Sequence, residues 1–164
     1  MEPRLNRIVF AALAAAAGSA LAAELPKEGT YDYTACWSTV RYPIAFSKTH
    51  IAFAFEMTGT NLTDPPGGMF DGESFRCVGS NAVFNGKPVS SIATCEAMDR
   101  DGDKRLTFFY LGKDGKYVRE TVAGTGKYEG LIASGSVKPL GPFPAVKPGT
   151  YQNCNRQTGT YKMK

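Results

Sequence analysis

One histidine, His50, stands in the 164 residues of this chain. A lone histidine excludes a His-rich metal site and makes any Ser-His-Asp or Cys-His triad depend on His50 alone. No two of the four cysteines are spaced C-x-x-C, which removes the zinc ribbon and the thioredoxin motif. A Gly-rich phosphate loop, a G-x-S-x-G elbow and a paired-His metal motif are all missing, so no cofactor is expected. Helical periodicity is missing as well: beyond residue 23, no stretch holds an apolar helical repeat for three turns. Charge of one sign is scarce. Nineteen basic residues face fifteen acidic ones, and a formal charge of +4 is too mild and too dispersed for a nucleic-acid surface.

What is present begins with the first segment. Arg4 and Arg7 precede the apolar run Ile8 to Ala17, and Ala20-x-Ala22 supplies small residues after it. A basic start, an apolar stretch too short to span a bilayer and a small-residue site read as a secretory signal peptide over residues 1–22. Residues 23–164 then form one domain, periplasmic or secreted, with no membrane span after cleavage. In an oxidising space, Cys36, Cys77, Cys95 and Cys154 imply two disulfides. Nearness in sequence favours Cys77–Cys95, and a closed barrel that joins its first and last strands favours Cys36–Cys154; the other two connectivities stay open.

Period-two alternation runs through the domain. Tyr31, Tyr33, Ala35 and Trp37 share one face of a strand over 30–40, and Ile51, Phe53, Phe55 and Met57 share one face of a strand over 49–58. Further strands are expected at 74–79, 82–85, 89–98, 105–111, 117–123, 131–137 and 150–163, the last either one strand or two with a break near Gln157-Thr158-Gly159. Asn85-Gly86 and Asp114-Gly115 read as two-residue hairpin turns. The segments 64–68 and 139–144, rich in proline and glycine, are rigid crossings. About eight strands at this spacing argue an all-β domain, an antiparallel eight-stranded barrel, with a β-sandwich as the alternative.

Few constellations could carry chemistry. Asp99, Asp101 and Asp103 match the start of a calcium loop, but Lys104 and Tyr110 occupy positions that need glycine and a bidentate carboxylate, so a polar hairpin turn is the stronger reading. Glu56 is a lone acid or base if its strand face points inward, and a solvated charge if it points outward. The same question applies to Arg119 and its neighbour Glu120, one of which must face the interior. Tyr33, Trp37, Phe53, Phe55, Phe108 and Tyr110 are numerous enough to line a small apolar cavity and equally suited to filling one.

The stretch from Glu120 to Gly130, followed by Ala133 to Val137, resembles the G-G-T-G-x-F-x-G-x-x-G segment of the allene oxide cyclase and dirigent barrel families, including bacterial exported members. Ala123 replaces the first glycine, Tyr128 the aromatic residue, and the last glycine is displaced to Gly135. The resemblance implies a calycin-like barrel, with the glycines letting a strand bend into a short coil and re-enter the sheet. It assigns no catalytic residue. Three functions follow as expectations: a module binding a small hydrophobic ligand in the barrel, a cofactor-free cyclase or isomerase using Glu56 or Glu120, or an envelope interaction protein with a filled barrel and a working surface.

Overall fold

A computed structural model describes residues 26–164. The expected signal peptide lies outside them. Eight strands follow in chain order: β1 (Glu28–Ala45), β2 (His50–Leu62), β3 (Ser74–Phe84), β4 (Lys87–Met98), β5 (Lys104–Leu111), β6 (Tyr117–Gly124), β7 (Ile132–Pro139) and β8 (Thr150–Lys162). One short 3₁₀ turn, Gly126–Tyr128, stands between β6 and β7. All strands belong to a single antiparallel sheet in the order β6-β5-β4-β3-β2-β1-β8-β7, curled into a nearly closed barrel with β6 and β7 as its two edges. The sandwich alternative is thereby excluded.

The register explains why one alternation pattern serves the whole molecule. Pairs such as Tyr33↔Gln157, Met57↔Cys77 and Cys77↔Cys95 set odd residues opposite odd residues. Side chains alternate across a strand, so odd residues line the interior. Tyr31, Tyr33, Ala35, Phe55, Cys77, Cys95, Ala97, Thr107, Ala133, Gln157 and Tyr161 are all buried. Bulges interrupt this register only between Ala82 and Val83, and between Leu106 and Thr107.

Two expectations are corrected by this pairing, and one open choice is settled. The strands expected at 74–79 and 82–85 are one element, and β8 runs unbroken through Gly159. These glycines make room for aromatic rings and do not mark turns. A Cβ at Gly79 would lie 2.6 Å from the Phe55 ring, and one at Gly159 2.7 Å from the Tyr31 hydroxyl. Asn85-Gly86 does form the two-residue turn, with both φ angles positive. Asp114-Gly115 does not: Gly112 N–H donates to the Lys116 carbonyl at 2.8 Å, closing a three-residue loop in which only Gly115 is left-handed.

Both disulfides link residues directly opposite on neighbouring strands. Cys77–Cys95 joins β3 to β4 inside the barrel, and Cys36–Cys154 joins β1 to β8 on its outer surface, at sequence separations of 18 and 118. Two disulfides are consistent with an oxidising, exported environment.

Up-and-down connectivity gives the barrel two ends. The loops over 63–73, 99–103 and 125–131 meet at one end, and the connections over 46–49, 85–86, 112–116 and 140–149 meet at the other. We call them the closed end and the mouth end.

Candidate functional site

At the closed end, the sequence 63–73 folds back onto β2. Gly72 N–H donates to the Asn61 carbonyl and Asn61 N–H to the Glu73 carbonyl, both at 2.9 Å. Burial works to raise the Asp71 carboxyl, but the N–H groups of Thr63 and Gly67, each at 2.9 Å, outweigh it and hold the group below its ordinary value. This folding drives Phe70 into the barrel, where its ring is 1% exposed and meets Tyr31 and Tyr33 edge-on at 5.2 and 5.5 Å. Phe70 sits at φ 73°, in the left-handed region that costs a non-glycine residue about 1–2 kcal/mol. Burying the ring contributes about 2 kcal/mol and its aromatic pairs about 1 kcal/mol each, enough to hold the strained backbone.

Beneath this plug lies a buried ion pair. Glu73, fully inaccessible, accepts hydrogen bonds from Arg105 Nε at 2.9 Å, Arg105 Nη2 at 2.6 Å and Asn61 Nδ2 at 2.7 Å. Arg105 Nη1 donates to Thr107 Oγ1 at 3.1 Å, and the guanidinium stacks 4.4 Å from the centre of the Phe70 ring. Burial opposes the charge on Arg105, but Glu73 outweighs it and lifts the group above the ordinary arginine value. Burial, reinforced by the Glu73 charge, also pushes the Tyr128 hydroxyl well above the usual tyrosine range.

Farther up the interior, Arg119 reaches from β6 past the β6–β7 seam. Its Nη1 donates to Tyr31 Oη at 3.0 Å and to Gln157 Oε1 at 3.3 Å, and Tyr33 Oη donates to the same Gln157 oxygen at 2.7 Å. Arg119 Nε and Nη2 are buried without hydrogen-bond partners. The rings of Tyr31, Phe70 and Phe109 surround the guanidinium at 5.4, 5.5 and 6.0 Å. The arrangement ties the β6 edge across the interior to β1 and β8; it offers no carboxylate for acid–base work.

The mouth is built differently. Arg41 stacks between Phe53 and Tyr151, at 4.8 and 4.1 Å from the ring centres. Ser91 Oγ donates to Asn81 Oδ1 at 2.6 Å inside the rim. Beyond the rim, the β1–β2 and β3–β4 tips lean together: Asn85 N–H donates to the Thr49 carbonyl at 2.7 Å, and the His50 and Phe84 rings lie 5.0 Å apart. An apolar cleft of about 250 Å³ between them is lined by Ile44, Phe46, His50, Ile51, Ala52 and Phe84. A shallow cleft of about 370 Å³ lies on the flank beside Cys36–Cys154, but it has no charged lining residue. Both clefts open to the surface, and the tip carries the denser apolar exposure: Ile44 is 72% and Phe46 89% exposed.

The ends also differ in charge. The mouth-end connections and the first residue of β4 carry Lys48, Lys87, Lys113, Lys116 and Lys147 against Asp114 alone. The closed-end loops carry Asp64, Asp71, Glu73, Asp99, Asp101, Asp103 and Glu129 against Arg100 and Lys127, but Lys27, Lys104, Arg105, Lys162 and Lys164 stand on the adjoining strand ends, so that end is close to neutral. Among the described residues, no carboxylate pairs with Lys48, Lys87, Lys113 or Lys147.

The residues singled out in the sequence are dispersed by the fold. Tyr33, Trp37, Phe53 and Phe55 face inward, with Tyr33 and Phe55 buried in packed surroundings. Phe108 and Tyr110 sit at even positions on the outside of β5 and so form no part of an interior wall. Glu56 is outside too, held by Arg76 Nε at 2.9 Å, and the Arg76 hydrogen bond and charge keep its carboxyl below the ordinary value. Glu120 is exterior and accepts a hydrogen bond from Tyr110 Oη at 2.9 Å. Asp99, Asp101 and Asp103 shape a hairpin turn. Asp99 Oδ1 accepts the N–H groups of Asp101 and Asp103, and Lys127 Nζ lies 2.7 Å from Asp99 and 3.1 Å from Asp101.

Sequence reasoning missed Phe70, the Glu73–Arg105 pair and the tip residues Ile44 and Phe46. The adjacent apolar pair Met69-Phe70 inside a Pro/Gly loop was the available signal for the plug. For the tip it was the continued alternation of Val40, Tyr42 and Ile44 past the end expected for β1. Pro43 obscures that continuation, yet it is tolerated because beyond Val40 only β2 flanks β1. No protein-family model, curated protein or solved structure matches the chain.

Proposed function

We propose that this is an exported interaction protein that works through its mouth end, with a barrel filled by its own side chains. The observation that supports this reading is the concentration of unburied apolar groups on the joined hairpin tips, above an interior occupied by Phe70, Tyr31, Tyr33, Trp37 and Phe75. Exposed apolar groups gathered in one place mark an interaction surface more often than scattered ones do. The enzyme reading loses support because Glu56 and Glu120 are solvent-facing and engaged with neighbouring polar groups.

A second reading, a small ligand within the barrel, is favoured by one observation. Arg119 carries two nitrogens without partners and faces inward. Against it, those atoms are sealed beneath aromatic rings, so a ligand reaches them only if the rings move. The resemblance over residues 120–137 belongs with this second reading.

A photo-crosslinking amino acid placed at Phe46 of the full chain, in the producing cell, tests the primary reading. The expected result is an adduct with a macromolecule of the envelope, protein or lipid, and none from the same group placed at Asp64. Absence of any adduct from position 46, together with a small molecule retained in native mass spectrometry, would overturn it.

A further inference from the structure

We infer that the two-hairpin tip of the mouth end docks on an anionic lipid bilayer. This rests on the surface-interaction reading above and names its partner. The first observation is the form of the apolar exposure. Ile44 and Phe46 project from the β1–β2 hairpin, while Phe84 and Val89 flank the β3–β4 turn at 42% and 49% exposure. Hydrogen bonding and ring contact hold the two tips as one unit. Protein partners are met by aromatic anchors gathered in the centre of a broad, desolvated patch. Here single apolar side chains stand out from narrow tips, the form that enters the boundary between lipid headgroups and acyl chains.

The second observation is charge complementarity. No Asp or Glu occurs over residues 41–55 or 79–95, and those stretches carry Arg41, Lys48 and Lys87. Lys113, Lys116 and Lys147 stand on the other connections at the same end. Near an anionic leaflet each such cation strengthens binding about fivefold, and lysine stems extend along apolar surface while their ammonium groups stay in water. At the opposite end the carboxylates are nearly matched by Lys27, Arg100, Lys104, Lys127, Lys162 and Lys164, so that end offers an anionic surface no comparable attraction. Orientation and attachment therefore have one cause. No helix among the described residues is long and apolar enough to cross a membrane, and the docking inferred here needs none.

The test uses the whole protein with both disulfides formed, sedimented with vesicles of phosphatidylglycerol and phosphatidylcholine and, separately, of phosphatidylcholine alone. It should pellet with the first and not with the second, and raised ionic strength should release it. The double variant Lys48→Gln/Lys87→Gln should bind the anionic vesicles about thirtyfold more weakly. Phe46→Ser should bind about tenfold more weakly, with an unchanged unfolding midpoint showing that the barrel is intact. Equal binding to both vesicle types, no binding to either, or variants that bind like the parent would each overturn the inference. A crosslink from position 46 to a protein, with no vesicle binding, would remove the bilayer and leave the surface reading standing; failure of both experiments would remove both.

Discussion

The two ends of this barrel share one sheet and differ in almost everything else. At the closed end, a loop carries Phe70 into the interior, a carboxylate and a guanidinium pair out of reach of water, and Tyr128 packs over them. At the mouth end, Arg41 lies against ring faces at an open rim, and Ile44 and Phe46 stand in solvent. The closed end draws Phe70 and Tyr128 into the core, whereas the tip leaves Ile44 and Phe46 in solvent. The contrast teaches that aromatic content says little about function until burial separates the residues already used in packing from those still available.

Substitutions should break this contrast unevenly. Glu73→Ala leaves Arg105 charged, buried and unpaired, so it should lower stability by about 3–5 kcal/mol in urea unfolding. Opening the interior Cys77–Cys95 ring with serine pairs should cost about 3 kcal/mol by the chain-entropy account, read from the shift in denaturation midpoint.

Alkaline pH probes the same end more gently. Burial is the main cause that raises Tyr128, and also Tyr31, above the ordinary value of 10.0. The unfolded chain therefore releases these protons first, and stability present below pH 10 is lost as pH rises beyond it. Tyr128→Phe should flatten that decline by up to about 1.4 kcal/mol per pH unit, measured by urea titrations at stepped pH. At the mouth, Phe46→Ser should change stability by no more than about 0.5 kcal/mol. A large loss there would mean that the tip belongs to the fold after all.

Much of this architecture was legible in the residues. Tyr31, Tyr33 and Ala35 announced the inward face of β1, the turn at Asn85-Gly86 formed as its residues require, and both cysteine pairings favoured by sequence are present. Gly79 misled and Gly159 left a choice open, because a glycine beneath an aromatic ring and a glycine in a turn look alike in one dimension. The absolute facing of Glu56, Arg119 and Glu120 was hidden for a related reason. Alternation fixes which residues share a face, but only closure of the sheet decides which face is inside. Phe70 was hidden more deeply still, since an exposed loop and a plug share their proline and glycine content until the loop's path is known.

Hydrogen exchange on the whole protein, with and without anionic vesicles, tests the division of labour between the two ends most directly. Amides over residues 44–50 and 84–89 should slow when vesicles are added, while those over 63–73 and 125–131 stay as they were. Slowing confined to the closed end, or no change at either, would contradict the account.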